Sequence, residues 1–386
     1  MKILKDELNS KLYYMYYSCF VIYWFINLMF ANLNVDLSAL KYAILFCGII
    51  SFVIMFSNTK FTKKELILQF FMIIFLLYVY IASGKDNIGL LLFYPSIIGL
   101  KNVKIKNVVK TLMWTLIIVL VITLLLTFLG ILPYSYYTKT DYYGNDYKMM
   151  RIANQHGNTI YVAIFIIITS YVYAYYEQIN RIKLMALEII AIIAYFILYS
   201  RTGLILTTFT IIGTYYLKYI KVKLPNKIVE VINFFERWSY SIFYIVVFII
   251  GYFMKNTPIY IFLNKLVSSR ISEVNHYLVD FGMKLIPQKV NYSWICDNTQ
   301  VKIMVSYGLI FTIIYLFFAY KTIKELQKEN KRIEILMMIV FLLYSYSEVV
   351  FFKPISDFTM LFFVYAFSSL NCKDKEKELY VKKDKE

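Results

Sequence analysis

Apolar positions in this 386-residue chain come in solid runs, with neither the alternation of a half-buried strand nor the narrow stripe of a surface helix. The runs are roughly 17–22 residues long, the length that carries a helix across a ~30 Å hydrocarbon layer. Twelve are legible: Tyr13–Phe30, Ala39–Phe56, Leu66–Ser83, Ile88–Leu100, Val108–Ile131, Thr159–Tyr176, Leu184–Ser200, Thr202–Tyr219, Trp238–Phe253, Thr299–Tyr320, Ile333–Val350 and Ile355–Leu370. The fourth is short and contains Pro95, which predicts a tilted, broken or re-entrant helix. The pattern predicts an all-α polytopic integral membrane protein of about twelve transmembrane helices. Residues 1–370 form one transmembrane domain, and residues 371–386 a charged cytosolic tail.

Between the runs the pattern changes. Residues 132–158 and 254–298 form two long outer connections, and connections of that length tend to carry function. In the second, Leu263, Val267, Ile271, Val274, Leu278, Phe281 and Leu285 recur at steps of three or four. This stripe predicts an amphipathic helix between the ninth and tenth spans, lying along the outer surface or capping the bundle. The inner connections are short and basic except Lys218–Arg237, where Pro225 predicts a division into two interfacial pieces.

Composition agrees with the runs. The chain is 60% apolar and 17% charged, whereas a soluble domain is about half apolar and a quarter charged. A soluble enzyme, a DNA-binding protein and a disordered chain are excluded, and no room is left for a cytosolic nucleotide-binding domain. The net charge of +17 would suggest nucleic acid if the charges were scattered. Instead, with the N-terminus inside, the inner side holds 28 of the 41 Lys and Arg against 15 of the 24 acids. Lys60/Lys63/Lys64, Lys101/Lys104/Lys106/Lys110 and Lys321/Lys324/Lys328/Lys331/Arg332 all fall there. This bias predicts that both termini are cytoplasmic and makes a nucleic-acid partner unnecessary. Cys19 and Cys47 lie in runs, Cys372 in the tail and Cys296 in an outer connection, so no disulfide framework is expected. The first run lacks a small-residue cleavage site and reads as a retained helix. The tail, alternating Lys with Asp and Glu, reads as solvated.

Candidate chemistry gathers on the outer side. Both histidines, His156 and His276, fall in the two long connections. The first connection carries six tyrosines between Tyr134 and Tyr147, including Tyr142 and Tyr143, together with Asp141, Asp146, Arg151 and His156. An interfacial aromatic belt and a carbohydrate platform both fit: flat rings pack on sugar faces while hydroxyls and carboxylates accept and donate. Two carboxylates five positions apart are a weak metal signal, and no metal site is expected. On the predicted surface helix, Arg270 can pair with Glu273 and His276 with Asp280, as ordinary salt bridges or as parts of a site.

Arg201 interrupts the apolar stretch at Tyr199-Ser200-Arg201-Thr202-Gly203. A guanidinium there is either a snorkelling anchor or a ligand for a diphosphate at the membrane surface. Glu348 and Asp357 flank the last outer turn near Lys353 and carry a lesser version of the same suspicion. Asp297 and Asn298 enter the tenth span either as N-caps or with Asp297 facing a cavity as a base.

The order of these motifs resembles the Wzy-type polysaccharide polymerases of the O-antigen polymerase and ligase superfamily, most closely the capsular repeat-unit polymerases. Three matches carry the resemblance: Ser200-Arg201-Thr202-Gly203, Ser268-Ser269-Arg270-Ile271, and Asp297-Asn298 followed by Tyr307-Gly308-Leu309. A weaker fourth is Arg151…His156-Gly157-Asn158, with Gly where the family usually has Pro. The resemblance implies a multi-pass glycosyltransferase of a bacterial cytoplasmic membrane. It would polymerise undecaprenyl-diphosphate-linked oligosaccharide repeat units at the outer face, without cofactor or metal, beside flippase and chain-length regulator proteins. Arg201 and Arg270, with Arg151, Asn298, Tyr142 and Tyr143, would hold the diphosphate and glycan. Ligase relatives have His-Asn where this chain has Asp297-Asn298, so the base would be Asp297, His276 or His156. A ligase shares the motifs. A flippase or symporter is the other alternative, although the chain has only 12 Gly and 6 Pro and no visible internal duplication of the kind transporters carry.

Overall fold

The computed structural model describes residues 2–29, 37–85, 88–140, 146–153, 155–220, 225–255, 257–266, 270–291, 297–348 and 356–371. The first half contains α1 (Lys2–Met29), α2 (Ser38–Asn58), α3 (Lys63–Ala82), α4 (Gly89–Ile98, continued by a 3-10 turn), α5 (Ile105–Phe128), the strands β1 (Tyr134–Thr140) and β2 (Asp146–Ile152), and α6 (Gly157–Ala174). The second contains α7 (Arg181–Leu198), α8 (Arg201–Tyr219), α9 (Asn226–Tyr252), α10 (Pro258–Leu266), α11 (Arg270–Phe281), α12 (Thr299–Lys302), α13 (Gly308–Lys328), α14 (Arg332–Tyr344) and α15 (Val364–Asn371). Each of the twelve apolar runs holds helix. Among the described residues, six helices are long and apolar enough to cross a membrane: α2, α3, α5, α6, α9 and Thr299–Lys328. The chain is a predominantly helical membrane protein.

Burial separates the helices by role. Within their most apolar windows α2 and α3 are only 17% buried, whereas α6 is 67% buried. Helices α2 and α3 therefore turn most of their apolar surface outward, and α6 runs through the middle. The core around α6 is aromatic: Tyr161, Phe165, Tyr173, Phe341 and Tyr344 are all almost fully buried. Phe165 packs on Phe341 and edge-on to Tyr344, with centroids 5.2 and 4.5 Å away. Two glycines let the helices come this close. A Cβ on Gly203 would lie 2.2 Å from the Tyr161 ring, and one on Gly157 would lie 2.3 Å from the Leu198 carbonyl oxygen.

Several elements depart from the sequence reading. The first outer connection contains a β-hairpin, an addition to the all-α expectation, with Tyr134 paired to Ile152 and Thr140 to Asp146. Its aromatic and β-branched residues suit an extended backbone, which an inventory of tyrosines as ring surfaces overlooks. Residues 226–237 do not form a separate interfacial piece. They are the first turns of α9, which starts directly after Pro225, where a proline suits a helix entry. Those turns are fastened on one side: Arg332 donates to Asn233 Oδ1 at 3.0 Å and to Glu236 at 2.8 Å, and Gln327 donates to the same Glu236 at 2.7 Å.

The predicted stripe forms a helix only over α11, where Ile271, Val274 and Leu278 are buried, and Leu263 belongs to the separate helix α10. Helix α11 caps the C-terminal end of α9: a Cβ on Gly251 would sit 2.3 Å from Val274 Cγ1, and Asn275 donates to the Gly251 carbonyl at 2.6 Å. The stripe does not extend to Leu285, which is exposed. Gly282, at φ +65°, ends the helix, and its N–H bonds to the Leu278 carbonyl at 3.1 Å. Val267 lies outside the described residues.

The extended segment after Gly282 fills a break in the tenth apolar run. There α12 passes through a π-turn, Ile303–Tyr307, to Gly308 at φ 82°, ψ 164°, a backbone conformation open in practice only to glycine. Leu309 N–H donates to the Lys284 carbonyl at 2.9 Å, Ile310 N–H to that of Leu285 at 3.1 Å, and Gln288 N–H to that of Ser306 at 3.0 Å. This segment thus satisfies backbone groups freed by the break, the condition under which a membrane helix can be interrupted.

Candidate functional site

Two clusters of charged and aromatic side chains form where α6, α8 and α12 begin and α7, α9 and α14 end. The first is built on α11 and the entry to α12. Arg270, the first residue of α11, is ion-paired with Asp297 and lies 3.3 Å from Glu273, one turn along its own helix. All three side chains are largely buried, with 17%, 27% and 28% of their surfaces exposed. Glu348, beyond the end of α14, adds to the negative potential on Arg270. Burial opposes the guanidinium charge, but the carboxylates outweigh it and raise its pKa further. Burial also pushes the Glu273 carboxyl above the usual carboxylate range, with Arg270 only partly opposing.

Asn298 lies beside Asp297 but serves the backbone. It is fully buried and caps α12, accepting from the Val301 N–H at 2.9 Å while its amide donates to the Tyr346 carbonyl at 3.1 Å. Thr299 completes the seam, its N–H donating to Ser345 and its hydroxyl to the Glu348 carbonyl at 2.8 Å. Of the two alternatives for this dipeptide, Asn298 takes the cap, and Asp297 is left turned toward Arg270.

The second cluster joins the hairpin to the start of α8. The Arg151 guanidinium lies over the Tyr137 ring, 4.1 Å from its centroid. In the hairpin register these residues are diagonal neighbours on one face, because Tyr137 pairs with Met149 and Ser135 with Arg151. Arg151 Nε is buried without a hydrogen-bond partner. His156 Nδ1 is 3.2 Å from the Tyr137 hydroxyl, and its ring meets Tyr137 edge-on. The close approach of Gly157 to Leu198 brings this group beside Tyr199-Ser200-Arg201. Arg201 is exposed and donates to the Tyr199 hydroxyl at 2.8 Å, while Tyr199 ends α7 in the left-handed conformation at φ 53°.

The predicted residues are therefore distributed over two clusters. Arg270 and Asp297 meet directly; Arg151, His156 and Arg201 gather around the hairpin and the α7–α8 corner. His276 stands exposed on α11, away from the face that packs on α9. Tyr142, Tyr143, Ser268, Ser269 and Lys353 lie outside the described residues. Among those described, no group of three His, Cys, Asp or Glu could hold a metal ion.

Comparisons with protein-family models, with curated proteins and with solved structures return no match. The reading of the site therefore rests on its own geometry.

Sequence reasoning overlooked Glu188. It sits inside α7, accepts from the Thr208 hydroxyl through Oε1, and has Oε2 buried without a partner. A lone acid in the run Leu184–Ser200 was the available signal. Tyr137 was one of six tyrosines and is distinguished only by its place between Arg151 and His156.

Proposed function

We propose that this chain is a membrane glycosyltransferase that polymerises lipid-diphosphate-linked oligosaccharide repeat units at the outer face of a bacterial cytoplasmic membrane. Twelve spans and cytoplasmic termini complete this reading. The observation that carries it is the direct pairing of Arg270 with Asp297 in a largely buried cluster at the mouth of α12. A guanidinium there can accept a diphosphate in place of a carboxylate, because both present the same planar pair of oxygens. In the resting pair Arg270 occupies the Asp297 carboxylate. An incoming diphosphate that takes over Arg270 frees that carboxylate to accept the proton of a sugar hydroxyl. Transfer then breaks the bond between the anomeric carbon and the donor's phosphate oxygen and forms a glycosidic bond to the acceptor oxygen. The acceptor proton goes to the base and the diphosphate leaves on its lipid. Arg151 and the Tyr137 ring, which share one face of the hairpin, supply a face for glycan. His156, held at Tyr137, is the alternative base.

Deleting the gene and separating surface and lipid-linked glycan by size tests this reading. Exported single repeat units without a ladder are expected. Lipid-linked units retained on the inner leaflet would instead assign a flippase, and long chains left unattached to their final acceptor would assign a ligase.

A further inference from the structure

Asp357 plays no part in the reaction above, yet it is the most deeply buried carboxylate among the described residues. Its relative exposure is 0%, and it precedes the 3-10 turn Phe358–Phe363, whose residues are all buried. One carboxylate oxygen is occupied: Oδ1 accepts from the Thr359 N–H at 2.9 Å and from the Thr359 hydroxyl. The other, Oδ2, is buried with no hydrogen-bond partner. The groups acting on it from other elements are phenols, namely Tyr17 of α1, Tyr240 of α9 and Tyr315 of α13. Among the described residues, no cationic side chain contributes to its surroundings. Next in this layer is Tyr244, one turn from Tyr240, whose hydroxyl is also buried without a partner.

An ionised carboxylate with one bare oxygen and no countercharge is among the costliest arrangements a protein interior can hold. Two occupants could relieve it, a proton or a metal cation. A cation needs several oxygen lone pairs converging on one point, but Oδ1 is already committed to Thr359. A proton needs only Oδ2.

We propose that Asp357 is a proton-binding site inside the bundle, carrying a proton on Oδ2 in the folded protein at neutral pH. One proton is taken from water as the carboxylate becomes the acid. The neutral acid lets Phe358–Phe363 pack against α4, α13 and α14, and releasing the proton would leave a bare charge in that aromatic layer. The site is independent of the glycosyltransferase reading.

Infrared spectroscopy of the purified full-length protein in lipid nanodiscs tests this. A protonated-carboxyl C=O band, shifted in D2O, is expected at neutral pH in the wild type and absent from Asp357→Asn. It should be unchanged by replacing potassium with sodium, and it should fade as the pH is raised. If Asp357→Asn does not fold, Asp357→Glu keeps the acid and is expected to move the band, which assigns it equally. A spectrum in which neither substitution alters any protonated-carboxyl band would show an ionised Asp357 and overturn the proposal. Loss of the band on adding sodium or potassium would overturn it too, in favour of a cation site.

Discussion

Arg270 is held by Asp297 and Glu273 before any substrate arrives. The burial of Glu273 outweighs its attraction to Arg270, so the folded state binds its proton more tightly than the unfolded chain does. The stability that proton confers is complete below the ordinary glutamate range and is lost as pH rises through the folded value. Glu273→Gln mimics the protonated form. Its unfolding midpoint relative to wild type should rise as the pH is taken from about 4 to about 8, and an offset constant across that window would contradict the assignment. Asn298→Ala removes both a cap and a link to Tyr346 and should cost about 1–3 kcal/mol in denaturant unfolding, independent of pH. Individual charges in this region were legible in the sequence because they fall in the long connection between the ninth and tenth runs, and connections of that length tend to carry function. Their partners were not. The pairing of Arg270 with Asp297 spans 27 positions, and no local period reports such a contact. The division of labour between Asp297 and Asn298 depends on which side chain reaches back to Val301, a matter of backbone direction that residue type leaves open.

Helices were legible as elements, since a solid apolar run has few alternatives to helix in a bilayer. Their ends were not. Helix α9 begins twelve residues before its apolar stretch, at Asn226, because its polar turns, fastened through Asn233 and Glu236 to Arg332 and Gln327, are still helix. The hairpin was hidden for the opposite reason: its strands carry Tyr, Thr and Lys, whose grouping reads equally as a belt or a loop. The break at Gly308 was visible only as a motif, and its cause lies in the segment Lys284–Gln288 that borders it. Gly308→Ala would force a side chain into a left-handed conformation 2.6 Å from the Ile286 carbonyl carbon. It should destabilise the protein by about 1–3 kcal/mol, measured by thermal unfolding in detergent. It should also expose the 284–288 amides to faster hydrogen exchange, and unchanged exchange would show that the segment does not depend on the break.

Across the molecule, the helix ends near the two clusters belong to one side. Helices α6, α8 and α12 start there and α7, α9 and α14 end there, which follows from their alternation along the chain. The positive-inside pattern predicts that this side faces out of the cell. A membrane-impermeant thiol reagent on intact cells should therefore label single cysteines at 201 and 276 and leave one at 324 unlabelled. The reverse pattern would place the clusters in the cytosol, where a lipid-diphosphate donor of the exported kind is not presented. The central claim, that the Arg270 cluster holds the diphosphate of a lipid-linked glycan, is tested most directly by replacing the gene with its Arg270→Ala form at matched protein level and sizing the cell's glycan. The account predicts single repeat units exported on lipid and at least a tenfold loss of longer chains, about 1.4 kcal/mol or more of lost transition-state stabilisation. A ladder of normal length and amount would contradict it.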